Sequence, residues 1–329
     1  MSPYKNCLLC PRRCGVNRDA GQIGYCGESS ALRLAFAGIH RGEEPPVTGK
    51  GGSGTIFVSG CNLGCNFCQN YQISSGKHGL KEKALGRIVD IEEFSEICLA
   101  LQKHGAGNIN IVTGSHAAPA IATGIKAARE CGLSIPVLWN SSGYEGTETL
   151  GILSGFVDVY LPDLKTTDPL LAAKYFNAPD YPEHAKAAIL KMMEYKKLQF
   201  CSGQVAPNDI IISGVIVRHL VIPGALDSTR QVLIWFSENC RGRAMLSLMT
   251  QYTPINMHGS ITDIPRSYVS ENDYEKVLSM LDEFGIDDGY CQEPIIGSEW
   301  LPDFTRQNPF SSGLSLPVWH WKKQFDVRG

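Results

Sequence analysis

Short apolar runs alternate along the chain with longer stretches of helical spacing, and glycine, proline and polar residues punctuate the junctions. The run Thr55-Ile56-Phe57-Val58 predicts a buried strand. Over 91–104, Ile91, Phe94, Ile97, Cys98 and Leu101 fall at helical spacing. Strand-like runs recur at 108–112, 135–139, 157–161, 215–222 and 244–249, and helical stretches at 119–131, 145–153, 169–176, 182–198, 228–239 and 271–284. Six such alternations predict parallel βα units in an α/β fold. Alternation alone leaves open a doubly wound sheet or a barrel. Polar or glycine-rich segments follow the strands: Gly60-Cys61, Thr113-Gly114-Ser115-His116, Asn140-Ser141-Ser142, Pro162-Asp163-Leu164-Lys165, Pro223-Gly224 and Thr250-Gln251. In parallel α/β folds the site lies at the carboxyl ends of the strands, so these segments predict one shared pocket.

The flanks read differently. Over 1–50 the periodicity is weak and Gly and Pro are frequent, which predicts a small, loop-rich, cysteine-rich module. The main domain is expected over 51–292. Over 293–329 the chain is irregular and is expected to form an extension packed on that domain through Trp300, Trp319 and Trp321.

With 329 residues, 43% of them hydrophobic, the chain can bury one large core. A net charge of −3 provides no global basic field, so broad nucleic-acid binding is not expected. No run approaches the roughly 20 apolar residues that span a bilayer. Residues 1–14 lack the apolar core of a signal peptide. A cytoplasmic protein without a membrane partner is therefore expected, in a compartment where structural disulfides are rare. The 12 cysteines then need another role. Seven precede residue 70, as Cys7, Cys10, Cys14, Cys26 and as Cys61, Cys65, Cys68. Clusters of this kind point to metal, whereas the scattered Cys98, Cys131, Cys201, Cys240 and Cys291 read as small hydrophobes.

Cys61, Cys65 and Cys68 follow the first predicted strand with C-x3-C-x2-C spacing. Thiolates are soft ligands suited to iron–sulfur chemistry, and three of them would leave one iron of a 4Fe–4S cluster open. A structural zinc site needs a fourth ligand, and Asn62, Gly64, Asn66 and Gln69 are poor candidates. A zinc or redox site completed by a distant ligand is the alternative on spacing alone. Phe67, an aromatic residue immediately before the third cysteine, adds to the motif.

This triplet resembles the signature of the radical S-adenosylmethionine enzymes. The stretches 7–15, 60–74, 139–144, 160–165 and 218–224 narrow the resemblance to homologues of the pyruvate formate-lyase activating enzyme, over roughly residues 5 to 292. The resemblance implies a partial (β/α)6 barrel, TIM-like in build, and a cluster whose open iron binds S-adenosylmethionine. It also implies an electron donor such as flavodoxin or ferredoxin. Phe67 is placed with the cofactor-binding residues. Thr113, Gly114 and Ser115 stand where the activating enzymes have a Gly-Gly-Glu segment, with the glutamate missing. Asn140 and Ser141 correspond to the turn after the third strand, and Asp163 and Lys165 to an Asp-Leu-Lys after the fourth. Asn140 replaces one of two aspartates that hold a monovalent cation in that family. Lys165 is expected near the cofactor carboxylate. Arg218 resembles an arginine supplied to the cofactor side, and its burial in an apolar run demands a partner. By strand alternation His219 is expected on the opposite face, in the core. Gln251 is expected to approach the adenosine.

Cys7, Cys10, Cys14 and Cys26 have C-x2-C-x3-C-x11-C spacing with little apolar material between them, so metal is expected to stabilise the module. Zinc is the first expectation, a second iron–sulfur cluster the rival. The reaction expected is radical abstraction of hydrogen from a protein, peptide or small molecule. Activation of a glycyl-radical enzyme is one alternative, and a non-catalytic metal-binding module the other.

Overall fold

In the computed structural model, the described residues are 2–74, 84–203, 209–255, 264–294, 296–298 and 300–326. Residues 295, 299 and 327–329 of the expected C-terminal extension lie outside them. The described strands are, in chain order, β1 (Leu32–His40), β2 (Ser53–Val58), β3 (Arg87–Val89), β4 (Ile109–Val112), β5 (Val137–Ser141), β6 (Val159–Pro162), β7 (Gln199–Phe200), β8 (Ile211–Leu220), β9 (Met245–Met249), β10 (Gly289–Cys291) and β11 (Ser315–His320). Side by side they run β10-β9-β8-β6-β5-β4-β2-β1-β11, with β3 against β1 and β7 against β8. From β2 to β10 every neighbour in that order is parallel. The edge strands β10 and β11 do not pair with each other, so the sheet stays open as a partial barrel. The six strands expected from the sequence are β2, β4, β5, β6, β8 and β9. The short β10 adds a seventh parallel strand.

Helices Ile91–Lys103, Ala118–Glu130, Thr147–Leu153, Pro169–Phe176, Tyr181–Tyr195, Leu226–Asn239 and Glu271–Glu283 connect these strands. The first starts where Asp90 accepts the Glu93 N–H at 2.8 Å, a side-chain cap on an otherwise orphan donor. One face of the sheet packs on the helices: Ile56, Ile111, Trp139, Tyr160, Val217 and Leu246 share a core with Phe94, Ile125, Ile189 and Val232. Gly124 lets the first two helices meet, because a β-carbon there would lie 2.3 Å from the Phe94 ring. Residues one position along each strand face the other way. Leu138, Val159, Leu161, Ile216 and Met245 form a second cluster with Val47 on this inner face.

Arg218 of β8 belongs to the inner face and is buried. Its Nε lies 2.8 Å from Glu44 Oε1, and its Nη2 lies 2.6 Å from Glu43 and also meets Glu44 Oε2. Asn110 of β4 donates to Glu43 at 3.1 Å. Burial would lower the guanidinium pKa, but the Glu44 and Glu43 carboxylates hold it above its ordinary value. The partner that the burial of Arg218 demands is a pair of glutamates in the turn after β1. His219 faces the helices, with Nδ1 2.7 Å from the Leu164 carbonyl and Nε2 3.0 Å from Thr229 Oγ1, as alternation predicts.

The expectation of a purely loop-rich segment over 1–50 is also corrected. Strand β1 lies between β2 and β11 and is antiparallel to both. The extension after 293 supplies β11, with Trp319 buried and its Nε1 donating to Glu93 at 3.0 Å. Phe304 and Phe310 pack with Phe36, Phe57 and Val112.

Three stability outcomes follow from this packing. Trp319→Ala should cost about 3–5 kcal/mol in urea unfolding, and an unchanged midpoint would show that β11 does not hold the sheet edge. Arg218→Met should cost about 3–5 kcal/mol by stranding two carboxylates. Adding Glu43→Gln and Glu44→Gln should recover much of that loss, and no recovery would refute the charge argument. His219 is pushed down from 6.5 to about 4 by burial, with the Leu164 carbonyl opposing. Its contribution is present above pH 6.5 and is lost as pH falls towards about 4, because the unfolded ring takes up a proton first. Urea titrations across that window should give a flatter profile for His219→Asn than for the unmodified protein.

Candidate functional site

The cysteine loop leaves β2 at Gly60, whose φ is +88°. A β-carbon there would lie 2.9 Å from the Cys26 carbonyl oxygen and 3.0 Å from His116 Nε2, so glycine alone fits. Neighbouring elements pin the loop. The Cys61 N–H donates to the Cys26 carbonyl at 3.3 Å, and Asn66 N–H to the Tyr175 carbonyl at 2.8 Å. Arg12 Nε donates to the Asn62 carbonyl at 3.0 Å, and Asn177 Nδ2 to the Gly64 carbonyl at 2.7 Å. Phe67 is enclosed by Tyr175, Phe176 and Tyr252, with ring centroids 5.6, 5.8 and 5.2 Å away. Its ring therefore buttresses the loop.

The three thiols face a common space. Burial first, then the Cys65 and Cys68 thiols, hold Cys61 far above the ordinary thiol range. Burial pushes Cys65 up to about 12, against the Lys165 ammonium. Burial raises Cys68 as well, with the nearby Ser74 side chain and Asn70 backbone opposing. Among the described residues no group of three Cys, His, Asp or Glu side chains is placed to hold a single metal ion.

Lys165 Nζ lies 2.5 Å from Asp163 at the end of β6. Burial would lower the ammonium pKa, but Asp163 and the Cys65 thiol hold it above its ordinary value, so it stays charged. The Tyr181 hydroxyl accepts the Lys165 N–H at 2.9 Å and shares its proton between the Asp163 and Ser142 carbonyls at 2.8 and 2.9 Å. This fixes two strand ends relative to each other. The Asp163 carboxylate, expected beside a cation, is occupied by the lysine.

Thr113 ends β4 with φ +63°, a strained conformation for a β-branched residue. Its N–H donates to the Asn140 carbonyl at 2.9 Å, which joins it to β5. A β-carbon on the adjacent Gly114 would lie 2.6 Å from the Trp139 ring. Ser115 donates to Glu145 at 2.7 Å, and Trp139 Nε1 does so at 3.1 Å. Burial holds the Glu145 carboxyl above the usual range, with Ser115, Trp139 and Ser141 opposing. The Ser115 hydroxyl thus donates to a buried carboxyl, while Ser141 Oγ accepts the Gly143 N–H at 3.3 Å. Gln251, after β9, accepts from Gln69 Nε2 through its carbonyl at 3.2 Å. Its own Nε2 is buried without a partner among the described residues. Such an amide is a donor waiting for an acceptor.

Glu43, Glu44, Glu145 and Tyr181 are not predicted from the sequence. Each acts through partners far along the chain and belongs to no motif. The positive φ of Thr113 likewise has no sequence signal. Cys7, Cys10 and Cys26 are buried, Cys14 is half-buried, and all four are unbridged.

The family model of the Radical SAM superfamily matches residues 55–228. Uncharacterized protein MJ0674 of Methanocaldococcus jannaschii is 29% identical over 285 residues, covering 86% of this chain and 76% of that protein. Streptococcus suis SuiB bound to S-adenosylmethionine superposes with a TM-score of 0.49 at 13% identity, covering 76% of this chain and 49% of SuiB. The chain thus spans about half the length of SuiB. Methylornithine synthase PylB superposes with a TM-score of 0.46 at 14% identity, covering 82% of this chain and 74% of PylB. Among the described residues no helix is long and apolar enough to cross a membrane. Because the family model covers more than half of the chain, and spans the cysteine loop and the strand ends around it, the protein belongs to the Radical SAM superfamily, whose members are enzymes.

Proposed function

We propose that this enzyme holds a 4Fe–4S cluster on Cys61, Cys65 and Cys68, binds S-adenosylmethionine beside it, and abstracts hydrogen from a substrate held against the inner face of the sheet. One observation carries the reading. The three coupled thiols, the charged Lys165 and the unpartnered Gln251 amide lie at the carboxyl ends of β2, β6 and β9. Bound there, the cluster and S-adenosylmethionine supply a 5′-deoxyadenosyl radical through one-electron cleavage of the C5′–S bond.

The chain's own residues do the rest. Three thiolates without a fourth protein ligand leave one iron for the substrate-like cofactor. Lys165 orients the carboxylate of S-adenosylmethionine through a charge-assisted hydrogen bond. Asp163 pairs with that ammonium, and the Tyr181 hydroxyl holds the Lys165 backbone through its N–H. The backbone of Thr113 and Gly114, with Asn140, borders the cofactor on the β4–β5 side. Gln251 offers its amide to the adenosine side. Phe67 and its aromatic neighbours keep water from the cluster loop. A one-electron reductant of the flavodoxin or ferredoxin class starts the reaction. The reading covers protein, peptide and small-molecule substrates.

Anaerobically reduced, cluster-replete protein should convert S-adenosylmethionine to methionine and 5′-deoxyadenosine, and Cys65→Ala should reduce this to background. Replete protein that forms no deoxyadenosine, with or without candidate substrates, would sink the reading. Lys165→Met should weaken S-adenosylmethionine binding about tenfold, as expected for a lost charge-assisted bond of roughly 1.4 kcal/mol or more. Equilibrium binding to the cluster-replete variant measures this, and unchanged affinity would remove Lys165 from the site.

A further inference from the structure

The four cysteines before β1 are not used by the reaction above, yet they are built into a site of their own. Their segment has little regular structure besides the single turn Arg18–Ala20. The sulfurs of Cys26 and Cys14 lie 3.5 and 3.7 Å from where a β-carbon on Gly24 would sit, so both thiols border the same residue. Donors point at the sulfurs. The Tyr25 N–H lies 3.3 Å from Cys14 Sγ, and Arg18 Nη1 lies 3.7 Å from Cys7 Sγ. Cys26 Sγ lies 3.8 Å from the Glu28 carbonyl oxygen, beside the same Arg18 side chain.

Arg18 supplies the second observation. Its side chain is 1% exposed. It donates to the carbonyls of Glu28 at 3.2 Å, Ser29 at 2.5 Å and His116 at 2.6 Å, and among the described residues it forms no ion pair with a carboxylate. A buried guanidinium without a counter-ion is costly. Arg18 Nη1 lies 3.7 Å from Cys7 Sγ. A thiolate-bound metal centre brings the negative charge that this cation lacks.

The two cysteine sets are neighbours, since the Cys26 carbonyl accepts the Cys61 N–H at 3.3 Å. Arg12 lies 3.8 Å over the ring of Tyr25, next to Cys26, and donates from Nε to the Asn62 carbonyl of the triplet loop at 3.0 Å. Cys14, half-buried, lies beside the exposed Arg13, which leaves this side open to solvent.

We propose that Cys7, Cys10, Cys14 and Cys26 hold a second iron–sulfur cluster, and that it relays one electron from a reductant of the flavodoxin or ferredoxin class to the group held by Cys61, Cys65 and Cys68. The reductant is oxidised by one electron, the second cluster is reduced and then reoxidised, and no bond or proton moves in the transfer. The relay rests on the function proposed above, whereas the cluster itself does not.

The test starts from a full-length chain carrying Cys61→Ala, Cys65→Ala and Cys68→Ala, reconstituted anaerobically. It should retain about four iron and four sulfide, against about eight of each in the unmodified protein, and give a paramagnetic signal on reduction. Zinc in place of that iron, or no metal, overturns the cluster, whether or not the unmodified protein cleaves S-adenosylmethionine. For the relay, Cys10→Ser with Cys26→Ser should lower flavodoxin-driven deoxyadenosine formation at least about tenfold further than dithionite-driven formation. Equal loss with both reductants in a folded variant overturns the relay. If that variant does not fold, freeze-quench electron paramagnetic resonance of the unmodified protein decides. On mixing with reduced flavodoxin the second cluster's signal should precede that of the triplet cluster, and the reverse order overturns the relay.

Discussion

The peptide N–H of Cys61 donates to the Cys26 carbonyl at 3.3 Å, and this contact joins two thiol-bearing segments at the mouth of the sheet. The packing around it is correspondingly tight. Gly60 is required because a side chain would strike the Cys26 carbonyl and the His116 ring. Arg12 then crosses from the N-terminal segment to the Asn62 and Asn177 carbonyls, with its guanidinium 3.8 Å above the Tyr25 ring. A cysteine loop after a strand would otherwise be a mobile surface segment. Here it is held by carbonyls, amides and aromatic rings from three parts of the chain, and its thiols keep fixed positions before any metal arrives.

Much of the fold is legible in the sequence where strands and helices obey their own periods. The helix Ile91–Lys103 carries both its apolar stripe and its Asp90 cap. Strand β1 is not legible, because both faces are buried and Ala35, Ala37 and Gly38 give no alternation. Gly38 is small for a structural reason: a β-carbon there would lie 2.7 Å from the Leu316 carbonyl oxygen. Strand β11 contains Pro317, which argues against a central strand and suits an edge one. The cysteine triplet is legible because its ligands are contiguous. The Ser115–Glu145 contact is not legible because its partner lies 30 residues away and belongs to no recognisable pattern. The Arg218–Glu44 pair is not legible for the same reason, since the two are 174 residues apart. The arginine's demand for a partner can be read from its apolar surroundings, but the identity of that partner depends on the closed geometry of the inner face.

The two buried arginines show how one electrostatic problem receives two answers. Arg218 sits on the inner face, where two glutamates approach from the turn after β1. Two carboxylates against one guanidinium leave one excess negative charge, partly satisfied by Asn110. That arrangement is complete within the chain and stiffens the inner face. Arg18 is as deeply buried, yet its partners are neutral carbonyls and a sulfur. Carbonyls satisfy its N–H groups without neutralising its charge. With the four thiols protonated the region carries a stranded cation, and with metal-bound thiolates the sign of the local field reverses and Arg18 becomes the compensating group. The same cation would favour the more negative, reduced state of a cluster and so ease uptake of an electron. Arg218 therefore explains why the sheet holds its shape, and Arg18 is the cation that the proposed N-terminal centre would neutralise.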